Sequence, residues 1–200
     1  MTILQYPGPP WQKYEGPTGE AIVCPDQTNF RPAKTITVVL YGRLRTGRDE
    51  RFNRRTARQN HAAWVKEYTK WYERLTVLGI NQVIRDSVEA WGVMGFKAHI
   101  DLVAQRKTPI QDFKNLVVGF DQGIIDGLVH GGLLLDDSTN HLQLSFNQEQ
   151  GSPEYVWLRF TRGGTCPDHV RIQAEKRLMQ SLTPKDRDLL QKVRNEGLYQ

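Results

Sequence analysis

Between residues 96 and 146 the spacing of apolar side chains changes from two to four and back to two, and nothing else in the chain constrains the fold as strongly. Phe96, Ala98, Ile100, Leu102 and Ala104 alternate with Lys97, His99, Asp101 and Val103. That period belongs to a strand with one covered and one more open face. After a polar loop, Leu116, Phe120, Ile124 and Leu128 recur every four residues, with Val117 and Ile125 widening the stripe. A helix is therefore expected from about 113 to 129. Gly131-Gly132 supplies its stop, because glycine takes the left-handed conformation cheaply. Two more strands are expected at 141–146 and 155–160, joined by a polar turn over 147–153. The expected class is α+β, a small mixed β-sheet packed against helices.

The flanks read less regularly. Residues 1–34 carry Pro7, Pro9, Pro10, Pro17, Pro25 and Pro32 and are read as an irregular proline-rich arm, either lying on the domain, with Trp11, Tyr14 and Phe30 to pin it, or flexible beyond it. Residues 35–41, Thr-Ile-Thr-Val-Val-Leu-Tyr, form the expected first strand. From 60 to 78 a helix is expected, its Trp64, Tyr68, Trp71 and Leu75 forming a buried stripe, and a second helical piece covers 80–91. Beyond the Arg162-Gly163-Gly164 breaker, helices are expected at 169–181 and from Thr183 to Gly197. Thr183 caps the last one, with Pro184 at its first position and Asp186 at capping-box spacing. The organisation is an arm (1–34), an α/β nucleic-acid-binding domain (35–162) and a C-terminal helical extension (163–200).

Composition excludes several classes. Cys24 and Cys166 stand alone, so neither a disulfide framework nor a structural zinc site is expected. No apolar run is long enough to span a membrane, and the first residues lack the basic start and apolar stretch of a secretory signal. A cytoplasmic protein is expected.

The charge is modest in sum, 27 Lys plus Arg against 22 Asp plus Glu, but it is concentrated. Arg43, Arg45, Arg48, Arg51, Arg54, Arg55 and Arg58 fall within one glycine-punctuated stretch that holds only two acids. Guanidinium matches phosphate oxygens with a planar fork, so this stretch, with Arg106, Lys107 and Lys114 further on, is the expected DNA-binding surface.

Hydrolysing a phosphodiester requires neutralising phosphate charge and generating a hydroxide, which magnesium or manganese held by carboxylates supplies. Asp112 opens the central helix, Asp136 and Asp137 follow its end, and Asp101 projects from the open face of the preceding strand. A straight 17-residue helix is roughly 25 Å long and keeps its two ends apart. A shared ion then needs a break, for which Gly119 and Gly123 offer places, or a carboxylate from elsewhere, with Asp121 and Asp126 nearby in sequence. His99, His130 and His141 suit phosphate contact or capping better than magnesium, and His130 is read as a helix-end cap.

The stretch Arg106-Lys107-Thr108-Pro109-Ile110-Gln111-Asp112-Phe113-Lys114-Asn115-Leu116, continuing to Asp126-Gly127-Leu128 and Gly131 through Asp137, resembles the centre of the RusA-type Holliday-junction resolvases. In that family a strand and a basic loop lead to an Asp-x-Asp-Asn-Leu helix start, an Asp-Ala-Leu-like helix end, a glycine and an Asp-Asp pair. The similarity covers about residues 35–160. It implies a homodimer that binds four-way DNA junctions and cuts them with magnesium. It also implies Asp112 and Asp137 as metal ligands, with Asp136 beside them and Asp101 or Asp121 completing the catalytic group, and the 43–58 segment holding DNA. The chain departs from the family at Lys114, where a second acidic ligand is expected, and at Val118, where an assisting lysine is expected. Its helix is also about four residues longer. The expected function is a magnesium-dependent endonuclease for branched DNA, the alternative a catalytically inactive nucleic-acid-binding or assembly protein on the same fold.

Overall fold

The computed structural model describes residues 4, 5, 8, 10–26, 32–45 and 57–188, the side chains of 57–60 excepted. Six strands form one sheet: β1 (Gln12–Gly16), β2 (Gly19–Pro25), β3 (Ala33–Tyr41), β4 (Phe96–Arg106), β5 (Leu142–Gln150) and β6 (Tyr155–Thr165). Their order is β1-β2-β3-β6-β4-β5. Every neighbouring pair is antiparallel except β4 and β5, which run parallel. Parallel neighbours require a crossover, and the central helical run provides it. The helices are α1 (Ala57–Val77), α2 (Asn81–Val93), α3 (Phe113–Phe120), α4 (Asp126–His130) and α5 (Asp168–Ser181). A single π turn, Asp121–Ile125, joins α3 to α4. The α+β class expected from periodicity is the architecture found.

The alternation along β4 is realised: Ala98, Ile100, Leu102, Ala104 and Arg106 are buried, and the residues between them are not. These inward residues meet Ile36, Val38 and Leu40 of β3 and Val156, Leu158 and Phe160 of β6 in one core with Trp71, Leu75, Ile84, Val88, Trp91, Leu116, Phe120, Ile124 and Leu128. Strand alternation thus turns one sheet face entirely toward the helices.

Several expectations are corrected. The proline-rich arm is irregular only in part, because β1 and β2 form a hairpin within it. Pro17 sits at the second position of the Gly16-Pro17-Thr18-Gly19 turn, where proline's fixed φ is an advantage. Pro25 ends β2. Glu20 of β2 is buried and accepts a hydrogen bond from the Leu4 backbone N–H at 2.7 Å, so the arm does lie on the domain. Phe30 lies outside the described residues.

The glycines at 163 and 164 do not end β6. They sit where its pairing with β4 slips by one residue, Phe96 facing Thr165 while Ala98 faces Arg162, which is the bulge role of glycine in a strand. Likewise β5 runs on to Gln150, through most of the expected turn. The aromatic stripe of α1 is buried only in its second half: Trp71 and Leu75 are in the core, whereas Trp64 and Tyr68 are part-exposed. The capping box at Thr183 forms, the Asp186 N–H donating to Thr183 Oγ1 at 3.3 Å, while residues 189–200 lie outside the described residues. Cys24 and Cys166 are free thiols.

Candidate functional site

Asp112 caps α3. Its Oδ1 accepts the Lys114 backbone N–H and its Oδ2 accepts from the Asn115 side chain, each at 3.0 Å, and the residue is exposed. The preceding loop is tied to the far end of β5, where the Ile110 N–H donates to Gln148 Oε1 at 2.8 Å. Asp136 and Asp137 precede the near end of β5, where the Ala98 N–H donates to the His141 carbonyl at 3.1 Å. The length of that strand, nine residues or roughly 27 Å, separates the two ends. The loop before Asp112 and the segment after Asp137 are thus tied seven residues apart along β5, at Gln148 and His141. Asp101 is also committed elsewhere: its cross-strand partner Arg159 donates to Oδ2 through Nε at 2.9 Å and Nη2 at 2.7 Å, and His99 Nε2 lies 3.3 Å from Oδ1.

What the fold does bring together is a different set of acids. In an α-helix, residues five apart point about 140° away from one another. The π turn widens the helix so that the Asp126 N–H donates to the Asp121 carbonyl, placing position i+5 under position i. Burial raises the Asp121 pKa, and the charges of Asp126 and Asp137 raise it further. Asp121 keeps solvent access all the same. The side-chain interaction between Asp136 and Asp137 lowers the pKa of Asp136 and raises that of Asp137. Asp136 also accepts the Ser138 N–H at 3.2 Å.

The surroundings hold this end of the crossover firmly. Trp64 Nε1 donates to Asp126 Oδ2 at 2.6 Å. Arg85 donates to the carbonyls of Gly131 and Gly132, both at 3.2 Å, and Arg177 donates to those of Gly132 and Leu134, both at 3.1 Å. Two guanidinium groups thus satisfy the carbonyls at the helix C-terminus, where its dipole favours cations. Gly132 has the positive φ, 71°, with which the helix stops. His130 donates from Nδ1 to the Asp126 carbonyl at 2.8 Å, the capping role expected of it.

The basic residues scatter more than expected. Arg106 is 5% exposed on the inward face of β4, so it cannot reach DNA; the alternation that buries Ala104 buries it too. Lys107, Lys114 and Arg43 are exposed. Arg45 pairs with the buried Glu67 at 3.6 Å, and both line a groove of about 720 Å³ along α1 with His61, Lys66, Lys70 and Glu73. Arg48, Arg51, Arg54, Arg55 and the side chain of Arg58 lie outside the described residues.

The fold and site define an α+β protein with a carboxylate cluster at one end of a parallel-strand crossover. No family model and no curated protein matches the chain. Among the described residues no helix is long and apolar enough to cross a membrane, and no three His, Cys, Asp or Glu side chains are already arranged to hold a metal ion. The set Asp121, Asp126 and Asp137 offers oxygen ligands of the kind magnesium prefers, without forming such a group by itself. Two signals for it were present in the sequence, Asp121 and Asp126, but their alignment depends on a π turn that periodicity does not reveal.

Proposed function

We propose that the chain is a magnesium- or manganese-dependent endonuclease acting on branched DNA in the cytoplasm, with its carboxylates at the C-terminal end of the crossover helix. The observation that carries this reading is the π turn that sets Asp126 beneath Asp121 on the approach to Asp137, an arrangement in which like charges repel. A divalent cation relieves such repulsion, and when bound it supplies positive charge to a phosphoryl oxygen and a water of lowered pKa. Asp121, Asp126 and Asp137 would hold the ion. Asp136, next in the chain, would orient the Asp137 carboxyl. Trp64 fixes Asp126. Arg43 and the arginine-rich stretch that follows it would hold phosphates, and a homodimer presenting two such sites fits the resemblance to the junction resolvases.

The test is incubation of the full chain with a labelled synthetic four-way DNA junction, with magnesium or with chelator, beside a linear duplex of the same sequence. Cleavage of the junction that needs the metal and spares the duplex supports the proposal. Tight, salt-sensitive binding with no cleavage in either metal refutes it.

The second reading is a noncatalytic nucleic-acid-binding or assembly protein on the same scaffold. Asp101 and Asp112, two of the expected catalytic acids, are occupied by Arg159 and by the α3 cap, which favours it. It predicts DNA binding unchanged when Asp121 and Asp137 are both replaced by asparagine.

A further inference from the structure

The amino-terminal half of α1 leaves aromatic rings where the core no longer needs them. The His130 ring lies flat on Tyr68, centroids 4.9 Å apart and planes 16° apart. Trp64 stands edge-on to both, at 5.1 Å and 72° from Tyr68 and 5.7 Å and 85° from His130. His61, one turn earlier, is 5.1 Å from Trp64. His61 and His130 are exposed, and Trp64 and Tyr68 are part-exposed. The rings are not loose: the Trp64 indole N–H is bonded to Asp126, and His130 Nδ1 is bonded to the Asp126 carbonyl. Both bonds orient the rings without covering them.

We propose that Trp64, Tyr68 and His130 form a preorganised stacking platform for an unpaired base of a DNA strand, placed beside the Asp121–Asp126–Asp137 cluster. The inference rests on the nucleic-acid reading above. An unpaired base is the ligand these features fit together. It offers a π face to extend the Tyr68–His130 stack, and Lys66, exposed on the same half of α1 and lining with His61 the groove along that helix, supplies positive charge for its phosphates. Branched DNA interrupts stacking at its crossing point, where a base leaves its pair more readily than within a continuous duplex.

The experiment measures binding of the full chain, without divalent metal, to a single-stranded oligonucleotide carrying 2-aminopurine and to a duplex of the same sequence. The wild type is expected to bind the single strand and to quench 2-aminopurine. Trp64→Leu and His130→Ala are each expected to weaken single-strand binding about tenfold and to reduce the quenching, with duplex binding unaltered. Trp64→Phe loses the bond to Asp126 but keeps a ring, and is expected to retain most of the affinity. Near-ultraviolet circular dichroism checks that each variant is folded. Folded Leu and Ala variants that bind and quench like the wild type overturn the platform while leaving the nucleic-acid reading intact. A wild type that binds neither DNA overturns both.

Discussion

Asp121 shows how one side chain reports on a site. Its carboxyl pKa is raised by burial and by Asp126 and Asp137, so the folded state takes up a proton more readily than the unfolded chain. Such a group contributes stability at low pH and loses it as pH rises through the folded-state value. Asp121→Asn removes that loss. Because the residue keeps solvent access, the gain at pH 7 is small, below about 1 kcal/mol, or a rise of about 1–3 °C in melting midpoint. At pH 3 the variant should hold no advantage. A thermal melt at both pH values checks this, and a midpoint lowered at pH 7 would mean that Asp121 is held by a partner that needs its charge. If the cluster takes magnesium, the ion should raise the wild-type midpoint and leave that of Asp137→Asn unmoved.

The crossover helix is shaped by glycine. Gly119, Gly123, Gly127 and Gly131 recur every four residues; α1 lies against the last three, a Cβ at Gly127 standing 2.7 Å from the Tyr68 carbonyl, while one at Gly119 would collide with the Arg45 carbonyl of the segment after β3. Gly127→Ala should therefore cost about 1–3 kcal/mol in denaturant unfolding, although alanine is the better helix former; an unchanged or raised midpoint would show that α1 can withdraw. Arg177→Ala should cost about 1–3 kcal/mol by the same measurement. It strips carbonyls at the end of the crossover of donors and leaves Glu89, buried and with its pKa already raised by burial, with weaker compensation. Equal stability would mean that Arg85 suffices alone. The glycine spacing was present in the sequence. Gly119 and Gly123 suggest a break when only one helix is considered. Gly123 becomes a contact surface once α1 is laid against it, and Gly119 once the segment after β3 is.

Across the molecule, the legible parts were those fixed by local period. The alternation of β4 and the four-residue stripe of the crossover determined which faces turn inward, while the parallel direction of the β4–β5 pair is seen only in the sheet itself. The β1–β2 hairpin was hidden because its prolines also mark loops, and only pairing with β3 distinguishes a turn proline from a breaker. Arg106 illustrates the opposite case: its charge implied DNA, but its place in the alternation already assigned it to the core side. The acids were the least legible, since their grouping depends on which end of the sheet each one occupies. The central claim is that the functional carboxylates lie at the Asp137 end and not at Asp112. Magnesium-dependent cleavage of a four-way junction by Asp112→Asn, Asp121→Asn and Asp137→Asn tests it most directly, since asparagine caps a helix as well as aspartate and leaves α3 intact. The account predicts near-normal rates for Asp112→Asn and losses of at least about a hundredfold for the other two; loss at Asp112 with full activity in Asp121→Asn would contradict it.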